Sequence, residues 1–230
     1  MTSLSVVIPT WREAATIAQT VGLALAVGDE VIVADAASPD DTARVAERAG
    51  ARVVVTGKGR GAQLHAGACA ARGDALLFLH ADASLPDAAR ARARIDEALE
   101  DPLVVGGNFY LRFDPPSSAA RLFTWANDAR RRWMRIYYGD SALFVRRSTY
   151  DALGGFRPLP ILEDYELVRR LERAGRTVYV RDVEVVASAR RFERAPIRTL
   201  LLWSALQALY MMGVPPRRLA RFYADARPTP

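Results

Sequence analysis

A single cysteine, Cys69, stands in the 230 residues. It excludes an internal disulfide and a cysteine-based metal cluster, and it fits a reducing cytoplasm. Histidine is almost as scarce, with two residues; His65 lies in a helical pattern with no second histidine at metal-ligand spacing, so it reads as a surface or packing residue. No stretch is rich enough in Pro, Gly or Ser to act as a linker, and no apolar run reaches the roughly 18 residues of a membrane span. The N-terminus, Met1-Thr-Ser-Leu-Ser5, enters a strand-like run without a basic leader, which argues against a secretory signal. A Gly-x-Gly-x-x-Gly fingerprint is missing from the first strand-to-helix turn, where Pro9-Thr-Trp-Arg-Glu13 stands instead. This argues against NAD or FAD. Lysine is all but absent: of the 32 Lys and Arg residues only Lys58 is lysine.

What is present points to one α/β domain. Half of the residues are hydrophobic, enough for a packed core. The net charge of +6 favours phosphorylated ligands or anionic membrane surfaces. Basic side chains are spread over many segments without a standard nucleic-acid motif, so no nucleic-acid partner is expected. Strand and helix signals alternate along the first eighty or so residues: strands at 5–9, 30–35, 51–55 and 75–82, and helices at 13–27, 42–49 and 61–72. Such alternation implies a parallel sheet with helical crossovers.

The run Ala75-Leu-Leu-Phe-Leu-His-Ala-Asp82 is apolar up to a carboxylate at the expected strand end. Open α/β sheets bind ligands beyond the carboxyl ends of their strands, and Asp35 ends the second strand on the same edge. An Asp at that edge suits a divalent cation, Mn²⁺ or Mg²⁺, carrying a diphosphate. The plainer alternative is an Asp that caps the following turn, helped by Ser84 and Pro86. Gly57-Lys-Gly-Arg-Gly61 combines backbone that approaches a ligand closely with charge for phosphate, and reads equally as a basic surface turn.

Three further segments carry candidates. Glu163-Asp164 opens a helical pattern over 162–174, where acids also serve the helix dipole. Gly106-Gly-Asn-Phe109 allows close approach by an acceptor at Gly107 and Asn108, or marks a bulge; Asp140 touches an acceptor or simply holds a turn. Arg190-Arg191-Phe192-Glu193-Arg194 is placed to clamp a diphosphate, or is a solvated turn. Residues 199–214 carry no charge and are followed by Pro215-Pro-Arg-Arg218. They read as a helix packed on the domain, as an interfacial helix meeting a membrane surface through 199–218, or as a homo-oligomer contact.

Seven pieces, taken in order, resemble the family 2 glycosyltransferases of the GT-A fold. They are Ser5-Val-Val-Ile-Pro-Thr-Trp-Arg-Glu13, Val33-Ala-Asp-Ala-Ala-Ser-Pro-Asp-Asp-Thr42, Lys58-Gly-Arg-Gly61, Leu79-His-Ala-Asp82, Gly139-Asp-Ser-Ala-Leu-Phe-Val-Arg-Arg147, Leu153-Gly-Gly-Phe156 and Ile161-Leu-Glu-Asp-Tyr-Glu-Leu167. The resemblance spans about the first 190 residues, and is closest to the subgroup associated with radical-SAM and selenoprotein-type neighbours. It implies a GT-A-like, Rossmann-like α/β fold with a mostly parallel sheet and flanking helices. Pro9, Thr10 and Glu13 match the nucleotide-binding first loop, Asp35 the carboxylate that holds the base, and Lys58, Gly59, Arg60 and Gly61 a loop near the nucleotide. Asp82 matches the metal and diphosphate ligand of an Asp-x-Asp motif whose first acid is here His80. Asp164, with Glu163, matches the Glu-Asp motif that supplies the general base. Ala36, Ala37 and Asp41 replace an acid and two glycines usual in the second loop.

The resemblance therefore implies an inverting, metal-assisted transferase using a nucleotide-diphosphate sugar, with a lipid-linked or small-molecule acceptor. A nucleotidyltransferase shares the sheet and metal without needing the Glu-Asp motif. A non-catalytic nucleotide-sugar or headgroup module needs only the first-half site. The expected organisation is a catalytic domain over 1–195 and a helical extension over 196–230. The expected location is the cytoplasm, with peripheral attachment at the inner membrane face as the alternative.

Overall fold

The computed structural model describes residues 2–189 and 195–224. Strands β1 (Leu4–Thr10), β2 (Glu30–Asp35), β3 (Arg52–Val55) and β4 (Ala75–Phe78) form a parallel block. Helices α1 (Ile17–Leu25), α2 (Thr42–Arg48) and α3 (Arg60–Ala70) make the crossovers. The later chain adds β5 (Ala83–Ser84), α4 (Ala88–Glu100), β6 (Val104–Asp114), α5 (Ser118–Met134), β7 (Leu143–Arg146), α6 (Arg147–Ala152), α7 (Glu163–Ala174) and β8 (Arg176–Ser188). All strands join one sheet in the order β3-β2-β1-β4-β7-β6-β8-β5, in which β7 and β5 run against the rest.

Alternation along β1 divides the core between the two faces of the sheet. Leu4, Val6 and Ile8 pack with α1, α4 and α5, whereas Val7 packs with α3, α6 and α7. Thr10 pairs with Asp35 and Asp35 with Val55, so the first three strands finish level with one another. The fourth does not reach Asp82 as the sequence suggested. It ends at Phe78, opposite Val7, and the chain turns through His80 and Asp82, with the Ala83 amide closing on the His80 carbonyl at 3.1 Å. Asp82 thus stands in a turn beyond the sheet edge rather than at a strand terminus.

Helix α1 starts at Ile17, four residues later than its apolar pattern predicts. The Glu13 amide is taken by the Thr42 hydroxyl of the neighbouring loop at 2.8 Å, and the Glu13 carboxylate accepts from Thr16. Residues 13–16 therefore tie two loops together instead of opening the helix. Gly106 and Gly107 lie inside one continuous strand, β6, with a register shift between Val104 and Gly106. A Cβ on Gly106 would stand 2.4 Å from the Phe144 carbonyl oxygen, and one on Gly107 2.2 Å from that of Val178. Both glycines serve strand packing.

The C-terminal segment forms α8 (Pro196–Met211) and α9 (Pro216–Ala224). Trp203 of α8 meets Phe123 of α5 edge-on, and the Arg130 guanidinium donates to Ser204 at 2.8 Å. Leu206 and Leu219 form a small core with Ile161, just ahead of α7. Among the described residues no helix is long and apolar enough to cross a membrane. Because a Cβ on Gly107 would meet both the Val178 carbonyl of the paired strand β8 and the buried Phe144 ring, Gly107→Ala is expected to cost about 1–3 kcal/mol. A denaturant midpoint equal to the parent's would contradict this packing.

Candidate active site

The loops after β1, β2 and β3 meet at one edge. Asp35 is buried there and accepts from the Thr10 hydroxyl at 2.9 Å, the Ser38 amide at 2.7 Å and the Ser38 hydroxyl at 2.6 Å. A carboxylate offers about four acceptor positions, so these three bonds leave one. The Gln63 side chain of α3 donates to the carbonyls of Thr10 and Ala34 at 2.8 and 2.9 Å, fixing the ends of β1 and β2. Pro9 and the buried Thr10 thus close the end of β1, while Glu13 is turned toward Thr16 and acts within its own loop. Across the opening, the exposed Lys58 lays its ammonium over the Trp11 ring, 3.7 Å from the centroid, a cation–π contact between the first and third loops. Gly59 at φ +140° opens α3, and a Cβ on Gly61 would stand 2.7 Å from the Arg157 carbonyl oxygen.

A second cluster lies beside it. Leu162, left-handed at φ +59°, aims the first turn of α7 inward, so that Glu163, Asp164 and Glu166 are all buried. Three acids in a first turn complement the helix dipole, yet burial requires partners as well. Glu166 takes Arg170 and Arg157. Glu163 takes Arg60, whose guanidinium also reaches Asp164 at 3.4 Å. Asp164 further accepts the Gly139 amide at 2.9 Å. A Cβ on Gly139 would stand 3.2 Å from His80 Nε2 and 3.4 Å from Asp164 Oδ2, so His80 and Asp164 flank this glycine. Burial pushes the Glu163 carboxyl above its ordinary range, with the Arg60 charge pulling it down and that of Asp164 pushing it up.

Asp82 is half-buried in the turn beyond β4. Among the described residues no three His, Cys, Asp or Glu side chains form a group able to hold a metal ion alone. Asp140, in the short turn after Tyr138, borders a small cavity with Asn108, Arg131 and Ser141. Asn108 itself is buried: its carbonyl oxygen accepts from Arg131 at 2.7 Å and its amide donates to the Ser141 hydroxyl at 3.2 Å. Arg131 is completed by Thr177 and Glu172 and stacks on Tyr137, 4.3 Å from the ring centroid. Gly107 is therefore committed to strand packing, while Asn108 borders the cavity and is held by Arg131 and Ser141. Arg190 and Arg191 lie outside the described residues.

Two site residues escaped the reading of the sequence for assignable reasons. Trp11 is an aromatic in the first loop, a signal that was present, but nothing in the sequence pairs it with Lys58. Gly139 reads as an ordinary turn glycine, and only the tertiary structure sets it between His80 and Asp164.

Solved structures resemble the fold. A mycobacterial protein aligns at 24% identity and TM-score 0.59, covering 81% of this chain and 65% of its own. Glucosyl-3-phosphoglycerate synthase of Mycobacterium tuberculosis aligns at 23% identity and TM-score 0.65, over 93% of this chain and 81% of its own. TarS of S. aureus aligns at 17% identity and TM-score 0.64, over 90% of this chain and 40% of its own. At these identities the likeness carries the fold, a GT-A α/β sheet with flanking helices. No curated protein sequence matches. The sequence profile of glycosyl transferase family 2 matches residues 5–159, and the chain belongs to that family.

Proposed function

We propose that this glycosyltransferase moves a sugar from a nucleotide-diphosphate donor to an acceptor hydroxyl by inverting displacement, with Asp164 as the base. The observation that carries the reading is the convergence of Asp164 with Gly139 and His80 at the edge where β1, β2 and β4 end. Displacing a nucleotide diphosphate requires negative charge to be neutralised on the leaving side and a proton to be removed from the acceptor. The third loop, with Lys58 and Arg60, supplies cations to the leaving side. Asp164, held in orientation by the Gly139 amide, takes the acceptor proton on the opposite side. Asp35 retains one acceptor position for a nucleoside donor group, and Trp11 offers a ring face beside it. Glu163 anchors Arg60, keeping the phosphate loop against the base.

Asp82 fits a divalent cation that arrives with the diphosphate. Mg²⁺ and Mn²⁺ need one or two carboxylates when substrate phosphates complete their shell, which suits a site with no three-ligand cage. Such a cation would neutralise developing charge on the leaving diphosphate. The M. tuberculosis synthase was crystallised with Mn²⁺, UDP-glucose and phosphoglyceric acid, which supports this donor class here. The order of the seven motifs supports the family 2 reading, and we take the radical-SAM-associated subgroup only from the resemblance of the sequence. We take residues 1–195 as the catalytic unit and 196–230 as its extension.

Three measurements test the assignments. Asp164→Asn keeps shape but cannot take the proton, so sugar transfer, or slow donor hydrolysis, should fall roughly 10² to 10⁴-fold with donor affinity unchanged; comparable rates would remove Asp164 from the chemistry. Asp82→Ala should abolish the gain in nucleotide-diphosphate affinity that Mn²⁺ gives in calorimetry, with the melting temperature intact. An undiminished gain would place the cation elsewhere.

The third concerns Arg60. Glu163 carries a folded value raised above 4.5, and a raised carboxyl contributes stability below its unfolded value that is lost as pH rises through the folded one. Arg60→Gln removes the cation that offsets this rise. Its melting temperature should lie closest to the parent's near about pH 4 and fall behind progressively toward neutrality; a deficit independent of pH would show that Arg60 does not act through Glu163.

A further inference from the structure

The outer face of α8 is apolar along its length. Ile197, Leu201, Ala205, Ala208 and Met212 recur at the spacing of one helical face and are exposed, Leu201 to 65% and Met212 to 72%. The inner face is already committed to the body: Trp203 packs on Phe123, Gln207 accepts from the Tyr138 hydroxyl at 2.5 Å, and Tyr210 packs on Tyr165. Elsewhere on its surface α5 carries Trp125, which borders a pocket with Asp128 and Glu184, and Trp133, exposed to 81%. No residue from 195 to 222 is acidic, whereas Arg198, Arg217, Arg218 and Arg221 are all exposed. The single acid of α5, Asp128, is turned to Tyr179, Arg132 and Arg181.

We propose that this surface docks the protein on an anionic lipid bilayer, with α8 lying in the headgroup plane and its apolar stripe at the acyl boundary. A helix whose exposed face is apolar and which is flanked by arginines is held there by apolar burial and by attraction to anionic lipid. At 16 residues α8 is too short to span the bilayer and lies on it. Charge decides against a second copy of the chain. An isologous contact would set the same arginines against one another with no acid in the patch to pair them, whereas anionic headgroups supply the complement. The inner face of α8 touches Tyr138 and Tyr165, the sequence neighbours of Gly139 and Asp164. Docking therefore brings the acceptor side of the site to about one helix diameter, ~10 Å, from the headgroups. That last step rests on the transferase reading, and the docking itself does not.

Flotation of the full chain with vesicles reads docking without any sugar transfer, so its outcome is separate from that of the proposed chemistry. The protein should float with vesicles of phosphatidylcholine mixed with phosphatidylglycerol, fail to float with phosphatidylcholine alone, and be released by salt. Leu201→Glu should weaken binding about tenfold or more. Paired Arg217→Gln and Arg218→Gln changes should weaken it by about fivefold per charge. All three positions are exposed, so each variant should keep the parental melting temperature. No flotation of the parent with anionic vesicles, or undiminished flotation of Leu201→Glu at parental stability, would overturn the proposal. So would a dimer in sedimentation that Leu201→Glu dissociates, without vesicle binding, since it would give the stripe to a second copy.

Discussion

Two adjacent carboxylates buried at the start of one helix are the constraint around which the site is organised. Glu163 and Asp164 leave water together, and neither the helix dipole nor their own backbone can satisfy both. The remaining donors come from far along the chain: Arg60 from the loop after β3 and the Gly139 amide from the turn before β7. Each donor fixes its surroundings in turn. Gly61 has no side chain because the Arg157 carbonyl and Glu163 occupy its space, while Gly139 sits in close contact with His80 and Asp164. Leu162 adopts a left-handed conformation because only that turn feeds α7 inward at this point. A surface acid pair would need none of these features.

That dependence explains which parts of the molecule were legible in the sequence. The parallel block was readable because its signals are local: apolar runs of four to seven residues, glycine and Asx punctuation, and helices of the correct period between them. β2 was read at its observed limits, Glu30–Asp35, for that reason. Misplaced boundaries fell where tertiary bonds override local preference. Glu13 looked like the first residue of a helix, but its amide is claimed by Thr42 from another loop. The apolar run to Asp82 looked like a full strand, yet its ladder to β1 ends at Phe78.

The candidate site divides along the same line. Asp35 and Asp82 could be named because a carboxylate after an apolar run is itself a local signal, whereas His80, Glu163 and Asp164 are named through the resemblance of their motifs to the family. The network of Arg131, Asn108, Thr177, Glu172 and Tyr137 could not, because its members lie on α5, β6, β8, α7 and the loop after α5 and meet only in the folded chain. Burial lowers the hold of Arg131 on its proton, so this interior depends on every one of those acceptors and ring faces being in place. Tyr138 continues from it directly into Gly139. The turn that carries Gly139 is thereby braced by a polar interior that no spacing in the sequence announces.

The C-terminal helices extend the same logic outward. Leu206 and Leu219 share a small core with Ile161, and Ile161 precedes the left-handed Leu162 that sets the direction of α7. Tyr210 meets Tyr165, the residue after Asp164, while Gln207 meets Tyr138, the residue before Gly139. A displacement of α8 would therefore reach Gly139 through Tyr138 and Asp164 through Tyr165, one intervening residue each. Packed interiors transmit such displacement rather than absorb it, because they are dense and have few voids. An outer face on α8 that responds to its surroundings is for this reason mechanically continuous with the orientation of Asp164, whichever surface that face meets.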